Sequence, residues 1–171
     1  MLEKTNFSCT FAPCDKYYFF YMKIVGIAND HAGFVLKIKM VDYLRQKGYT
    51  VRNFGTDTTD PVDYPDYAHP LANAVEKGEC ELGISICGSG NGINVTVNKH
   101  AGIRGALCWL PEISHLARAH NNANICSLPA RFISEETAYS IVDEFLNTPF
   151  ENGRHQTRIE KIARLYPYSV L

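Results

Sequence analysis

No two cysteines in this chain are spaced C-x-x-C, and none of the six (Cys9, Cys14, Cys80, Cys87, Cys108, Cys126) pairs with the histidines at a zinc-like spacing. That removes the usual sequence signs of a structural zinc or a dithiol redox centre. Long apolar runs are also missing: no segment approaches the ~20 apolar residues of a membrane span. The aromatic run Tyr17-Tyr18-Phe19-Phe20-Tyr21 is too short for the apolar region of a secretory leader. Neither sign of charge dominates, with 17 Lys and Arg against 18 Asp and Glu and a net charge of −1. Neither nucleic acid nor an anionic membrane is therefore expected as a partner. Internal repeats and low-complexity stretches are absent. A reducing cytoplasm with free thiols is the expected location.

What remains is an ordinary globular composition, 46% hydrophobic and 20% charged over 171 residues, which suits one domain. The stretch before Met22 lacks periodicity, so residues 1–21 are expected to form an extension outside the fold and 22–171 a single domain. An extra edge strand from Tyr17 to Tyr21 is the plainer alternative. From Lys23 onward, strand-like and helix-like patterns alternate. Strands are expected at Lys23 to Ala28, Thr50 to Phe54, Leu82 to Ile86, Arg104 to Cys108 and Ala123 to Leu128. Helices are expected at Phe34 to Gln46, Pro65 to Lys77, Ile93 to Asn98, Pro111 to about His120, Glu135 to Leu146 and Arg154 to Leu165. Pro111 suits a first helical turn and Ser134 a helix cap. Strict alternation of this kind argues for a parallel sheet covered by helices on both faces.

In such a sheet functional residues gather beyond the carboxyl ends of the strands. The third strand delivers Cys87 there, followed by Gly88-Ser89-Gly90-Asn91-Gly92 and a helix. A buried cysteine is usually a small hydrophobe. Beside backbone amides at a helix start, however, it becomes a candidate reactive thiolate. The loop is neither G-x-G-x-x-G nor a Walker loop, since no Gly-Lys-Ser/Thr follows. Nor does an arginine close it, as a cysteine phosphatase requires; Ile93 stands there. Three glycines exceed what a packing turn needs, which favours a nest of amides for an anion.

Asn29-Asp30-His31-Ala32-Gly33 follows the first strand, and a long loop with Asp63-Tyr64-Pro65 follows the second. Asp30 either caps the next helix or, with His31, meets a ligand. His120 and Asn121 precede the fifth strand and Arg131 follows it, so these polar groups are counted with the same crevice. His120 is either a cation favoured by a helix C-terminus or a proton shuttle. Arg154 and Arg158 stand four apart on one helical face, either as a solvated basic stripe or as a clamp on one phosphate.

Taken together, these residues resemble the type B ribose-5-phosphate isomerase family, which also contains allose-6-phosphate and galactose-6-phosphate isomerases. The resemblance runs from Met22 to about Ala163. It rests on the segments already quoted, and also on Asn98-Lys99-His100-Ala101-Gly102-Ile103-Arg104, on His120-Asn121, and on Gly153-Arg154-His155-Gln156 with Arg158. It implies a three-layer α/β/α, Rossmann-like fold with a five-stranded parallel sheet and a C-terminal helix reaching a partner subunit. It also implies a homodimer or dimer of dimers with shared sites, acting on a phosphorylated aldose or ketose without metal or cofactor. The same resemblance makes Cys87 the base that moves a proton between C1 and C2, and His120 the residue that assists ring opening. The amides of Gly88 to Gly92 then hold an enediolate. Asp30, His31, Asn121, Arg131, Arg154 and Arg158 contact the sugar phosphate and Tyr64 lines the pocket, with His120, Asn121 and the C-terminal pair Arg154 and Arg158 facing the other subunit's cysteine.

Two residues depart from the family pattern. Ser89 replaces a common threonine and keeps a hydroxyl for the reacting oxygens, so it is expected at the catalytic centre. Asn91 replaces a small apolar residue, which leaves the choice between a pentose and a hexose phosphate open.

Overall fold

The structure, a computed structural model, describes residues 24–162. The expected extension over residues 1–21 lies outside the described residues. Five strands, β1 (Ile24–Asn29), β2 (Thr50–Asn53), β3 (Leu82–Cys87), β4 (Gly105–Leu107) and β5 (Ile125–Pro129), form one all-parallel sheet in the order β2-β1-β3-β5-β4. The helices are α1 (Phe34–Gln46), α2 (Tyr64–Glu76), α3 (Asn91–Val97), α4 (Pro111–Asn121), α5 (Glu135–Asn147) and α6 (Arg154–Ile159).

Side chains along β3 alternate between two cores. Leu82, Ile84 and Ile86 pack with Met40 and Leu44 of α1 and with Ile141, Val142 and Phe145 of α5. Cys87 points to the other face, against Leu71 and Val75 of α2 and Ile93 and Val97 of α3. Three layers result, each interior side chain of this size contributing about 1.5–3 kcal/mol through burial. Ser134 caps α5 as expected, its Oγ accepting from the Thr137 N–H at 3.2 Å.

The structure corrects several boundaries. β3 runs one residue further than its apolar pattern, through Cys87 itself, because Cys87 still pairs with Pro129 of β5. The helix after the glycine loop starts at Asn91 rather than Ile93. β4, at the sheet edge, keeps only three residues. The last helix ends at Ile159 and a turn follows to Ile162, whereas residues 163–165 of the expected helix lie outside the described residues.

On the surface, the rings of Tyr43 and Tyr139 stack at 4.1 Å between α1 and α5. Tyr139 O–H donates to Glu135 at 2.6 Å. Burial first, and then this carboxylate, push the Tyr139 hydroxyl up from 10.0 to about 12. Between pH 10 and 12 the unfolded chain therefore loses this proton while the native chain keeps it, and stability falls as pH rises through that window. Tyr139→Phe should remove this component. Urea midpoints measured at pH 9, 11 and 12 should show the wild type's advantage shrinking across the window, whereas a constant difference would contradict the assignment.

Candidate active site

Strand order reverses between β1 and β3, since the chain goes to β2 on one side of β1 and to β3 on the other. At such a switch point the loops diverge and leave a crevice beyond the carboxyl ends of the strands. A cleft of about 380 Å³ lies there, lined by Asp30, His31, Tyr64, Cys87, Arg131 and Phe132 together with residues of the glycine loop.

Cys87 is 4% exposed at the end of β3, and the Gly90 N–H donates to its sulfur at 3.1 Å. The turn that returns this amide to the thiol passes through Gly90 at φ 74°, in the left-handed region where L side chains are strained. A side chain at Gly90 would also strike Leu107, with Cβ 2.4 Å from Cδ1. Ser89 and Asn91 are exposed at the mouth of the loop, the Asn91 N–H reaching Ser89 Oγ at 3.4 Å. Gly92 leaves room for the Tyr64 ring: a Cβ there would sit 2.6 Å from Tyr64 Cζ. The Gly92 and Ile93 amides at the start of α3 have no partner within their own helix, so they are donors facing the cleft end of the loop. α3 itself is fixed from below by a buried relay: the Ser127 hydroxyl donates to Asn94 Oδ1 at 3.1 Å, and Ser85 and Ser127 hydroxyls bond at 2.7 Å.

The other cleft residues are set by the strand ends. Asp30 Oδ1 accepts from the N–H groups of Ala32 and Gly33 at 2.9 and 3.1 Å, capping a 3₁₀ turn over His31–Gly33. The capping role is thus real, and the same buried carboxyl also lines the cleft. His31 Nδ1 lies 3.2 Å from the Val62 nitrogen and 3.3 Å from its carbonyl oxygen, which holds the ring against the loop before α2. The N–H groups of Ala130 and Arg131 donate to the carbonyls of Cys87 and Gly88, both at 3.0 Å. This zips the strand ends together and places the Arg131 side chain over Gly88.

His120, Asn121, Arg154 and Arg158 are not brought to this cleft. His120 and Asn121, expected with the strand carboxyl ends, lie at the opposite edge of the sheet. α4 runs antiparallel to the strands it connects, so its last residues lie at the amino edge of the sheet. Its 11 residues span about 16 Å at 1.5 Å rise per residue. There His120 stacks on His155 of α6, and the Glu151 N–H donates to the Ala119 carbonyl at 3.0 Å, tying the turn before α6 to the end of α4. Arg154 and Arg158 are exposed on α6 beside them. One chain therefore presents two separated groups of polar residues: a thiol cleft at one end of the sheet, and a His, Asn and Arg cluster at the other.

Two further residues were missed in the sequence. Phe132 is 74% exposed at the cleft rim; its place directly after Arg131, just past a strand end, was the available signal. Glu151 faces the edges of the two stacked imidazoles, 3.7 Å from His120 Nε2 and 3.5 Å from His155 Nε2. Its spacing of four from His155 was a weak hint, hidden in what reads as a polar turn.

Fold and cleft together define a doubly wound α/β protein with a thiol and a glycine loop at its switch point. The chain belongs to the ribose/galactose isomerase family, whose pattern matches residues 25–162. It is 42% identical over 144 residues to ribose-5-phosphate isomerase B of Escherichia coli, covering 84% of this chain and 97% of that protein. Among solved structures it is similar to a ribose 5-phosphate isomerase of Thermotoga maritima, with 48% identity, a TM-score of 0.80, and coverage of 81% of this chain and 96% of that one. It is also similar to ribose-5-phosphate isomerase B of Mycoplasma genitalium with bound ribulose 5-phosphate, with 40% identity, a TM-score of 0.78, and coverage of 81% and 93%. No helix among the described residues is long and apolar enough to cross a membrane.

Proposed function

We propose that this chain is an aldose–ketose isomerase that interconverts ribose 5-phosphate and ribulose 5-phosphate. The observation that carries the reading is the Cys87 sulfur at the switch point with the Gly90 amide aimed at it. A proton on a carbon next to a carbonyl is weakly acidic, so its removal needs a positioned base, worth roughly 10²–10⁴-fold in rate. Cys87 takes the proton from C2 of the open-chain aldose. The electron pair moves into the C1–C2 bond and the C1 carbonyl becomes an enediolate oxygen. The same thiol then returns a proton to C1 while the O2 proton passes to O1, which leaves the ketose with its C2 carbonyl and C1 hydroxyl. Negative charge builds on the two oxygens in between. Donors fixed beforehand suit that charge, each worth about 3–4 kcal/mol when placed at the developing oxyanion; the loop amides from Gly88 to Gly92 and the Ser89 hydroxyl fill this role. Asp30, His31, Tyr64 and Arg131 hold the sugar in the cleft.

The remaining half-site comes from a second copy of the chain. His120 moves the ring proton in opening the cyclic sugar, Asn121 binds a hydroxyl, and Arg154 and Arg158 clamp the phosphate. A homodimer, or a dimer of such dimers, with α6 of one protomer reaching its partner, brings together what lies at opposite edges of the sheet in one protomer. Among the described residues four free buried thiols, Cys80, Cys87, Cys108 and Cys126, suit a reducing cytoplasm.

Parallel turnover assays with ribose 5-phosphate, allose 6-phosphate and galactose 6-phosphate test the substrate. Ribulose 5-phosphate formation is the expected outcome; turnover of a hexose phosphate alone would overturn the pentose assignment. Arg158→Ala should raise KM for ribose 5-phosphate by about tenfold or more, the worth of one charge-assisted bond. A loss confined to kcat would contradict its clamping role.

A further inference from the structure

His155 is 5% exposed, yet neither the proton transfer nor the phosphate clamp uses it. Its ring lies parallel to that of His120, with centroids 4.2 Å apart and planes within 6°. On its edge, His155 Nε2 accepts from Arg154 Nε–H at 3.4 Å. Glu151 faces both rings from the preceding turn.

The donor atoms of His120, Glu151 and His155 fall within 4.8 Å of one another, a spacing that a metal ion can span. The ring orientation argues otherwise. Parallel stacked rings keep their lone pairs in two separate parallel planes, whereas ligating imidazoles aim theirs at one centre. A stack with one edge hydrogen bond is instead the arrangement of a support.

We propose that His155 is the positioning residue of this half-site, fixing the plane of His120 by stacking and the guanidinium of Arg154 by hydrogen bonding. The proposal rests on reading His120 as the ring-opening group and Arg154 as part of the phosphate clamp. Burial is the main cause that holds the His155 imidazole below its ordinary range; His120, Arg154 and Arg158 add to it and Glu151 opposes it. The ring is accordingly neutral near pH 7. A neutral ring that accepts at Nε2 carries its proton on Nδ1, which leaves the Nε2 lone pair for Arg154. Glu151 closes the other side of the pair, 3.7 Å from His120 Nε2. One buried side chain thereby couples the placement of an acid–base group to that of the anion clamp.

Two substitutions separate the two contacts. His155→Phe keeps an aromatic ring for His120 but no acceptor for Arg154, and should raise KM for ribose 5-phosphate about tenfold with kcat nearly unchanged. His155→Gln keeps an acceptor oxygen but no ring, and should lower kcat with ribose 5-phosphate roughly 10²-fold with KM little changed. Ribulose 5-phosphate has no ring to open, because its only hydroxyl able to close a five-membered ring is phosphorylated. Solvent hydrogen exchange at its C1 should therefore persist at saturation in His155→Gln, which also shows that the variant is folded. Equal losses of kcat, KM and exchange in both variants would overturn the proposal, leaving His155 a packing residue only. His120→Ala, run alongside, keeps the two levels apart. If it slows ribose 5-phosphate turnover while both His155 variants behave as wild type, only the proposal fails. If His120→Ala turns over ribose 5-phosphate normally, the reading beneath it fails.

Discussion

Cys87→Ala should lower kcat with ribose 5-phosphate by roughly 10²–10⁴-fold, the worth of a positioned general base, with binding of the sugar phosphate largely retained. The fold should survive. The lost atom is small, and the Gly90 N–H left without its sulfur costs about 1–3 kcal/mol, against total stabilities of about 5–15 kcal/mol for domains of this kind. Cys87→Ser tests the chemistry apart from the packing. A hydroxyl still accepts from Gly90, but serine gives no counterpart to the thiolate near neutral pH. Turnover should be lost in both variants, as measured by ribulose 5-phosphate formation alongside calorimetric binding of ribose 5-phosphate. Full turnover in either would remove Cys87 from the mechanism.

The second large effect concerns the distance between the half-sites. If Cys87 of one protomer works with His120 of its partner, then Cys87→Ala and His120→Ala chains are each inactive as homodimers. Mixing them after unfolding and refolding together assembles dimers in which one of the two sites holds both native residues. With random assortment half the dimers are mixed, and half of their sites are intact, so about a quarter of wild-type activity should return. Restored activity at that level is expected. A mixture as inactive as its components would show that the two residues do not meet across a symmetric interface. Without a partner, His120 lies at the opposite edge of the sheet from Cys87, too far to share one sugar with it.

Much of this geometry was legible in the sequence because parallel α/β sheets are written in alternation. The apolar run from Leu82 and the glycines after Cys87 locate a strand end and a loop with no structural help, and the structure puts the thiol there. Asp30 followed by His31 likewise announced both a cap and a cleft residue. His120 shows where such reading goes wrong. Its periodicity assigns it to a helix, but the end of the sheet it reaches depends on the direction in which that helix crosses, and α4 carries it away from the strand carboxyl ends. Glu151 and His155 were obscured for a different reason. Their contacts to the end of α4 join turns and helix termini, where spacing along the chain carries no regular signal of proximity. The start of α3 at Asn91 was missed because polar and glycine residues are poor helix formers, and Gly90 in its left-handed conformation sets the start instead.

The most direct test of the central claim is hydrogen exchange in deuterated water, with ribulose 5-phosphate as substrate and NMR following C1. This isolates proton transfer by Cys87 from ring opening and from product release. The native protein should place deuterium at one of the two C1 positions at a rate comparable to turnover, and Cys87→Ser should place none. Exchange that continues at the native rate in Cys87→Ser would contradict a thiolate-mediated enediolate mechanism in this cleft.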